Sequence, residues 1–258
     1  MEIDNVKITD DGSHTLFVPE LNEHYHSTNG AIQESKHVFI EAGLKHVIKE
    51  RNPKYTYRTL NILEIGFGTG LNALLTLLES KKVLFDKIMS DKNSTDNQHT
   101  GNHQLNIFYH TIELYPLKME ESVKLNYPQL SSQHYSINYN RTTEIFHHLH
   151  SSSWEKPVKI TSGFTILKQK MDFSNPSQFC SNRLYDLIYF DAFAPEKQPN
   201  MWTERVFTKI YSLCNTNAVL TTYCAKGVIR RRLQNIGFQM ERLLGPPGKR
   251  EILRGTKI

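Results

Sequence analysis

Short apolar runs alternate along this chain with segments of helical period, and the clearest of each stand side by side in LNILEIGFGTGLNALLTLL, residues 60–78. Residues 61–65 read as a strand covered on both faces. Gly66, Gly68 and Gly70 form a turn in which no Cβ obstructs tight winding or the approach of a ligand. Residues 71–78 read as a helix, whose first turn offers free N–H groups and the positive end of a dipole. Strand, glycine turn and helix in that order hold a nucleotide-like or anionic ligand at the carboxyl end of the strand.

Before this unit, two β-like runs flank Asp10-Asp11-Gly12-Ser13, which predicts a hairpin. Residues 27–30 form a break. From 31 to 50 the positions Ile32, Val38, Phe39, Ala42, Leu44, Val47 and Ile48 carry helical spacing, and Asn52-Pro53 ends that helix. After the glycine unit, Phe85 closes the helical region. Residues 90–104, SDKNSTDNQHTGNHQ, read as a polar surface insertion. Strands are expected at 105–114, 164–171, 185–190 and 218–223. Pro116 suits the first turn of a helix running towards Tyr127. Residues 128–159 are less readable, with a short helix at 144–150. Further helices fall at 203–214 and 227–236, the second capped by Gly237. Two last strands, 238–243 and 251–254, flank a Gly-Pro-Pro-Gly turn. The alternation predicts an α/β, Rossmann-like, doubly wound and mainly parallel sheet with an antiparallel C-terminal hairpin. It divides the chain into an N-terminal hairpin and helix extension, 1–58, packed on a core domain, 59–258.

Charge changes this picture. The net charge is +5, but residues 196–258 carry 12 Lys/Arg against 4 Asp/Glu, while the preceding 195 carry 19 against 22. A basic C-terminal quarter on a near-neutral body suits a polyanionic partner approaching one side. No run approaches the length of a membrane span. The acidic N-terminus MEIDNVKITDD has no apolar signal segment, and Cys180, Cys214 and Cys224 have no C-x-x-C spacing. A cytoplasmic location is expected. His147, His148 and His150 do not share a helix face and have no acidic or Cys neighbour, so no metal site is expected.

The candidate chemistry is acidic. Glu64 precedes the first glycine by two residues, giving E-x-G-x-G-x-G. A carboxylate there is awkward beside a pyrophosphate; it suits a ligand with positive charge, such as the amino and sulfonium groups of S-adenosylmethionine. A dinucleotide fingerprint fits only as Gly68-x-Gly70-x-x-Ala73, a weak match. Three more carboxylates, Glu113, Asp172 and Asp191, end the next three strands, where ligands of open α/β sheets bind. Glu113 is placed for ribose hydroxyls, Asp172 for an adenine amino group and Asp191 for the transferred group.

The string FDAFAPEKQPNMWTERVF, residues 190–207, resembles the D-x-F-A-P-x-K-x-P-x-M-W-T signature of the MnmC-type tRNA methyltransferases. GFGTGLN, IELYP, the closing GKRE and the early block HYHSTNGAIQESKHVF resemble that family as well, so the likeness spans nearly the whole chain. It implies a class I methyltransferase fold with a seven-stranded sheet, and S-adenosylmethionine held by Glu64, Gly66, Gly68, Gly70, Asn72, Glu113 and Asp172. The implied reaction is methylation of the exocyclic amine of 5-aminomethyl-(2-thio)uridine at the tRNA wobble position. Asp191 would orient that amine rather than act as a strong base. Phe193, Pro195 and Trp202 would wall the pocket and stack on an extruded uridine, and Lys197 would contact phosphate. Arg231, Arg232, Lys249 and Arg250, with Arg230 and Arg254, would follow the anticodon stem-loop backbone. Consecutive arginines on a helix diverge, so at most two of Arg230, Arg231 and Arg232 face RNA. The chain ends where the flavin-dependent oxidoreductase domain of bifunctional relatives would begin, so a stand-alone, MnmD-like form is expected, with no flavin domain. The alternatives are a methyltransferase of the same fold acting on another amine or small molecule, or a non-catalytic RNA-binding protein on this scaffold.

Overall fold

A computed structural model describes residues 6–50, 59–92 and 105–258, with the backbone alone for 83–92. The strands are β1 (Val6–Ile8), β2 (His14–Val18), β3 (Glu23–His24), β4 (Leu60–Ile65), β5 (Ile107–Glu113), β6 (Val158–Thr161), β7 (Phe164–Lys170), β8 (Tyr185–Phe190), β9 (Cys214–Thr222), β10 (Phe238–Leu244) and β11 (Glu251–Lys257). The helices are α1 (Ala31–Ser35), continued by a π-helical segment (Lys36–Lys45) into α2 (His46–Glu50), then α3 (Leu71–Lys92), α4 (Met119–Ser122), α5 (Tyr127–Tyr135), α6 (Tyr139–Ser151), α7 (Glu204–Ser212) and α8 (Gly227–Ile236).

One sheet carries the order β10-β11-β9-β8-β4-β5-β7-β6. Strands β7, β5, β4, β8 and β9 run parallel, and β10, β11 and β6 pair antiparallel at the two edges. Every residue of β4 is buried, and its alternate side chains serve opposite faces. Ile62 packs with Tyr109, Leu187 and Tyr189; Leu63 and Ile65 pack with Ile188, Phe190 and Phe207. From β4 the chain passes to β5 on one side, whereas β8 returns to the other. The carboxyl ends of β4 and β8 therefore flank the switch point, where open α/β sheets hold their ligands.

The hairpin expected around Asp11 is present, and its turn caps a helix. Ser13 Oγ accepts from the N–H groups of Ala31 and Ile32, and Asp11 Oδ2 accepts from Gln33 N–H at 2.8 Å. The first free amides of α1 are thus satisfied from outside the helix, since its N-cap, Gly30, has no side chain. This contact places α1 beside the carboxyl ends of the strands.

Several expectations change. The sheet has eight strands rather than seven, because β6 folds back on β7 as an antiparallel edge. Pro116 does not begin a long helix: the chain bends at Leu114 and Tyr115, residues 116–118 are non-helical, and α4 starts at Met119, closed by Glu121 Oε2 accepting from Lys118 N–H at 2.7 Å. The poorly readable region holds α5, with Pro128 in its first turn, and α6, which contains the helix expected at 144–150 and starts earlier, at Tyr139, with N-cap Asn138 accepting from Arg141 N–H. Helix α3 runs on to Lys92, into the polar stretch; the rest of that stretch, and Asn52-Pro53, lie outside the described residues. No helix among the described residues is long and apolar enough to cross a membrane.

Candidate active site

The carboxyl ends of β4, β5, β7 and β8 open into a cavity of about 790 Å³, within the range of roughly 300–1,000 Å³ typical of small-molecule sites. Gly66 has φ 96° and Gly68 φ 48°, backbone that L side chains rarely adopt. A Cβ on Gly66 would lie 2.6 Å from the Asp191 carbonyl oxygen, and one on Gly68 would lie 2.9 Å from the Tyr25 ring. These two glycines let β4 leave the sheet against β8 and under the N-terminal segment. Gly70 faces away from the cavity, against His150 and Phe67.

Six carboxylates line the cavity, those of Glu20, Glu23, Glu34, Glu113, Asp172 and Asp191, against two lysines, Lys197 and Lys249. Glu113 accepts from Gly68 N–H at 2.9 Å through Oε2 and from Tyr115 N–H at 2.8 Å through Oε1. Each oxygen keeps a further lone pair for a hydroxyl donor. Asp172 accepts from Ser174 N–H at 2.8 Å, which shapes its turn at the rim. Asp191 Oδ2 accepts from Asn72 Nδ2 at 2.9 Å. Burial pushes the Asp191 carboxyl up to about 7, with the Asn72 hydrogen bond opposing the rise.

Glu64 occupies a different place from the one its motif suggests. It is fully buried behind the glycine turn, outside the cavity lining. Its Oε2 accepts from Thr111 Oγ1 at 2.7 Å, and its Oε1 makes no hydrogen bond of normal geometry. Burial pushes its pKa up to about 8, so the neutral acid prevails at pH 7. A folded-state pKa above the unfolded value of 4.5 means that folding takes up a proton. The associated stability is complete below about pH 4.5 and is lost as pH rises through about 8. Glu64→Gln removes that dependence. The Tm difference, variant minus wild type, should grow by about 5–10 °C between pH 5 and pH 8.5. A constant difference across that range in melting scans would mean that Glu64 ionises normally.

The Asp191 loop divides its expected roles. Phe193 lines the cavity against Tyr25, ring centroids 5.1 Å apart, and Lys197 lines it too. Pro195 does not. Trp202 is 1% exposed, packed on Phe190, Phe207 and Tyr223, and its indole N–H donates to Phe193 O at 2.8 Å. It supports the loop from beneath and cannot stack on a base. Arg232 donates to the Trp202 carbonyl. Lys249 enters the cavity, paired with buried Glu34 and 4.3 Å from the Tyr223 ring centroid. Arg254 pairs with Glu241. Arg231 and Arg250 are exposed.

Glu34 completes the wall, and His150 and Lys168 support the glycine turn from outside the cavity lining. Glu34 Oε2 accepts from Ser27 N–H at 2.9 Å. His150 Nε2 donates to Thr69 O at 3.1 Å, and burial lowers its pKa to about 4, keeping the ring neutral. Lys168, fully buried, donates to the Leu149 and His150 carbonyls at the end of α6 and lies 4.9 Å from the Trp154 ring centroid. A cation at a helix C-terminus is favourably placed, and here it braces the helix that holds the glycine turn. A polar Ser or Glu between apolar helical positions was the available signal for Glu34 and Ser35; His150 stood out only as one of three clustered histidines, and nothing local marks Lys168.

The fold is that of a class I S-adenosylmethionine-dependent methyltransferase, and residues 159–258 match a family described as S-adenosyl-L-methionine-dependent methyltransferase. The relatives are of the MnmC type. The tRNA 5-methylaminomethyl-2-thiouridine biosynthesis bifunctional protein MnmC of Legionella pneumophila strain Corby is 26% identical over 242 residues, 91% of this chain and 34% of that protein. The protein of the same name from Pseudoalteromonas atlantica is 27% identical over 262 residues, 99% of this chain and 34% of its own length. The chain thus spans about a third of these relatives. The solved structure of MnmC2 from Aquifex aeolicus has the same fold, with a TM-score of 0.70 and 21% identity over 98% of this chain and 70% of that one. The resemblance drawn from the motifs is borne out by these relatives.

Proposed function

We propose that this chain methylates the exocyclic amine of 5-aminomethyl-(2-thio)uridine at the tRNA wobble position, using S-adenosylmethionine, in the cytoplasm. The observation that carries the reading is Asp191, a carboxyl with its pKa near 7 at the switch point of a cavity rich in carboxylates. Such a cavity favours cationic ligands and repels a pyrophosphate. It fits a sulfonium cofactor and an alkylammonium acceptor, and the names of the relatives supply the tRNA context.

When bound, S-adenosylmethionine supplies the methyl group. Gly66, Gly68 and Asn72 would cradle it, with Glu113 on the ribose hydroxyls and Asp172 at the rim. The acceptor amine arrives as an ammonium, whose nitrogen lone pair is occupied by a proton. Asp191, with a pKa near neutrality, can take that proton and hold the freed amine in line. Phe193 and Tyr25 wall the acceptor side. Since Arg232, Arg254 and Lys249 have partners within the protein, the anticodon stem-loop would meet Arg231, Arg250 and Lys197. Residues 59–258 act as the methyltransferase domain, and the extension 1–58 contributes Tyr25, Glu34 and Ser35 to its site.

Purified protein, S-adenosylmethionine and tRNA bearing 5-aminomethyl-2-thiouridine should yield 5-methylaminomethyl-2-thiouridine by nucleoside mass spectrometry. Methylation of a free amine but not of this tRNA would favour the small-molecule alternative. For the cofactor half, Glu113→Ala should weaken S-adenosylmethionine binding by about 10–100-fold, the loss expected for charge-assisted hydrogen bonds. An unaltered Kd by calorimetry would remove Glu113 from the ribose site.

A further inference from the structure

Asp191 is held from behind. Asn72, on α3, is 3% exposed and donates from Nδ2 to Asp191 Oδ2 at 2.9 Å. Its other end, Oδ1, accepts from the hydroxyl of Ser35, on α1 and 1% exposed. The chain of donors has one direction: Ser35 O–H to Asn72 C=O, then Asn72 N–H to the Asp191 carboxylate. An amide can exchange its oxygen and nitrogen by turning over, so its hydrogen bonds alone decide which end faces a neighbour. The ionised Asp191 carboxylate only accepts, so the NH₂ turns towards it. The Ser35 hydroxyl, which can donate or accept, then donates to the carbonyl left on the other side and holds the amide in that orientation.

The same geometry separates the two oxygens of Asp191. Oδ2 faces an N–H, and a proton placed there would set donor against donor. Oδ1 makes no hydrogen bond with the described residues and is not among the sealed polar atoms. We propose that Ser35 and Asn72 form a positioning relay for Asp191, anchoring Oδ2 and leaving Oδ1 as the oxygen that meets the acceptor amine. The inference rests on the reading of Asp191 as the group beside that amine. In the step it aims, an N–H bond of the ammonium breaks with its electron pair staying on nitrogen, and an O–H bond forms at Oδ1. One cation and one anion become two neutral groups, so no further reactant is needed. Ser35 and Asn72 touch neither reacting atom; they act through Asp191.

The relay also joins the N-terminal helix to the reacting carboxyl. Other groups that face Asp191 come from several elements: Glu34 on α1, Lys249 in the β10–β11 turn, Glu64 on β4, Tyr109 on β5, and Tyr223 after β9. Glu34 and Lys249 act on Asp191 in opposite senses and are paired with each other. Removing the relay leaves all of these in place.

The test is a double-mutant cycle of Ser35→Ala and Asn72→Ala, read by ¹³C NMR titration of aspartate-labelled protein without substrate, with Asp191→Asn assigning the signal. Loss of the Asn72 donor should raise the Asp191 midpoint by about one pH unit, and loss of the Ser35 hydroxyl by about half as much. In the Asn72→Ala background, Ser35→Ala should change nothing, because Ser35 acts only through Asn72. The acidic limb of the kcat profile with the aminomethyl tRNA should move with the midpoint. Unmoved midpoints, or an equal Ser35 effect in both backgrounds, would overturn the relay. If Asn72→Ala does not fold, the Ser35→Ala midpoint alone decides, since an unchanged value would sever Ser35 from Asp191. Failure of the wild-type protein to methylate the tRNA would count against the proposed function, while the titration still judges the relay.

Discussion

Asp191→Asn should lower methyl transfer to the aminomethyl tRNA by about 10²–10³-fold, the usual scale for a lost general base, while S-adenosylmethionine binds within about twofold of wild type. The side-chain amide keeps an oxygen for Asn72 Nδ2, so the 2.9 Å contact can persist. What disappears is the capacity to take a proton near neutrality, which burial confers by lifting the carboxyl to about 7. In the proposed mechanism the active form is the ionised one. The wild-type rate should therefore climb with pH across about 7 and level off, and the residual rate of the variant should lack that limb. Asp191→Ala should fall further, because it also strands the Asn72 amide. Single-turnover rates at saturating cofactor measure the effect. Activity of Asp191→Asn within tenfold of wild type would reduce Asp191 to orientation alone.

Gly66→Ala should both destabilise the protein and abolish cofactor binding. At φ 96° an added Cβ sits 2.6 Å from the Asp191 carbonyl oxygen and 3.2 Å from its carbon, both backbone atoms. Neither strand can retreat easily. Gly66 N–H donates to Ile112 O at 2.9 Å, and Asp191 N–H donates to Ile65 O at 3.0 Å. Strain at such a φ costs about 1–3 kcal/mol before the clash is added, so a Tm drop of about 6–12 °C is expected. Gly12→Ala is the control: its φ is also positive, at 79°, but nothing lies within 4 Å of the added carbon. A drop no greater than that of Gly12→Ala would show that the two strand ends do not approach as closely as described.

Much of the fold was legible because its signals are local. Period-2 and continuous apolar runs mark β4 and β8 to the residue or nearly so, and α8 ends at Gly237 because only a residue tolerant of φ 121° continues there. The misses have local causes too. Helix α5 carries a weak apolar stripe interrupted by serines and a histidine, and β6 is four residues long. That Asp191, Glu113 and Asp172 line the cavity was legible because strand ends point into the switch-point crevice wherever the sheet is open and parallel.

The assignments that moved were those that depend on which way a side chain turns. Spacing cannot distinguish a tryptophan that stacks on a base from one that supports the loop below, and burial at 1% exposure places Trp202 in the second role. Nor can it show that Arg232 and Lys249 are occupied within the protein. By itself the sequence determined a glycine turn after a buried strand, acidic strand ends and a basic C-terminal quarter, because backbone freedom, periodicity and charge count are properties of short segments. Only the tertiary structure decided that Glu64 is a sealed neutral acid, that the cavity gathers six carboxylates, and that Ser35 reaches Asp191 through Asn72. Desolvation and hydrogen-bond partnership depend on residues far apart in the chain, and these meet only when the sheet and its N-terminal helix are packed.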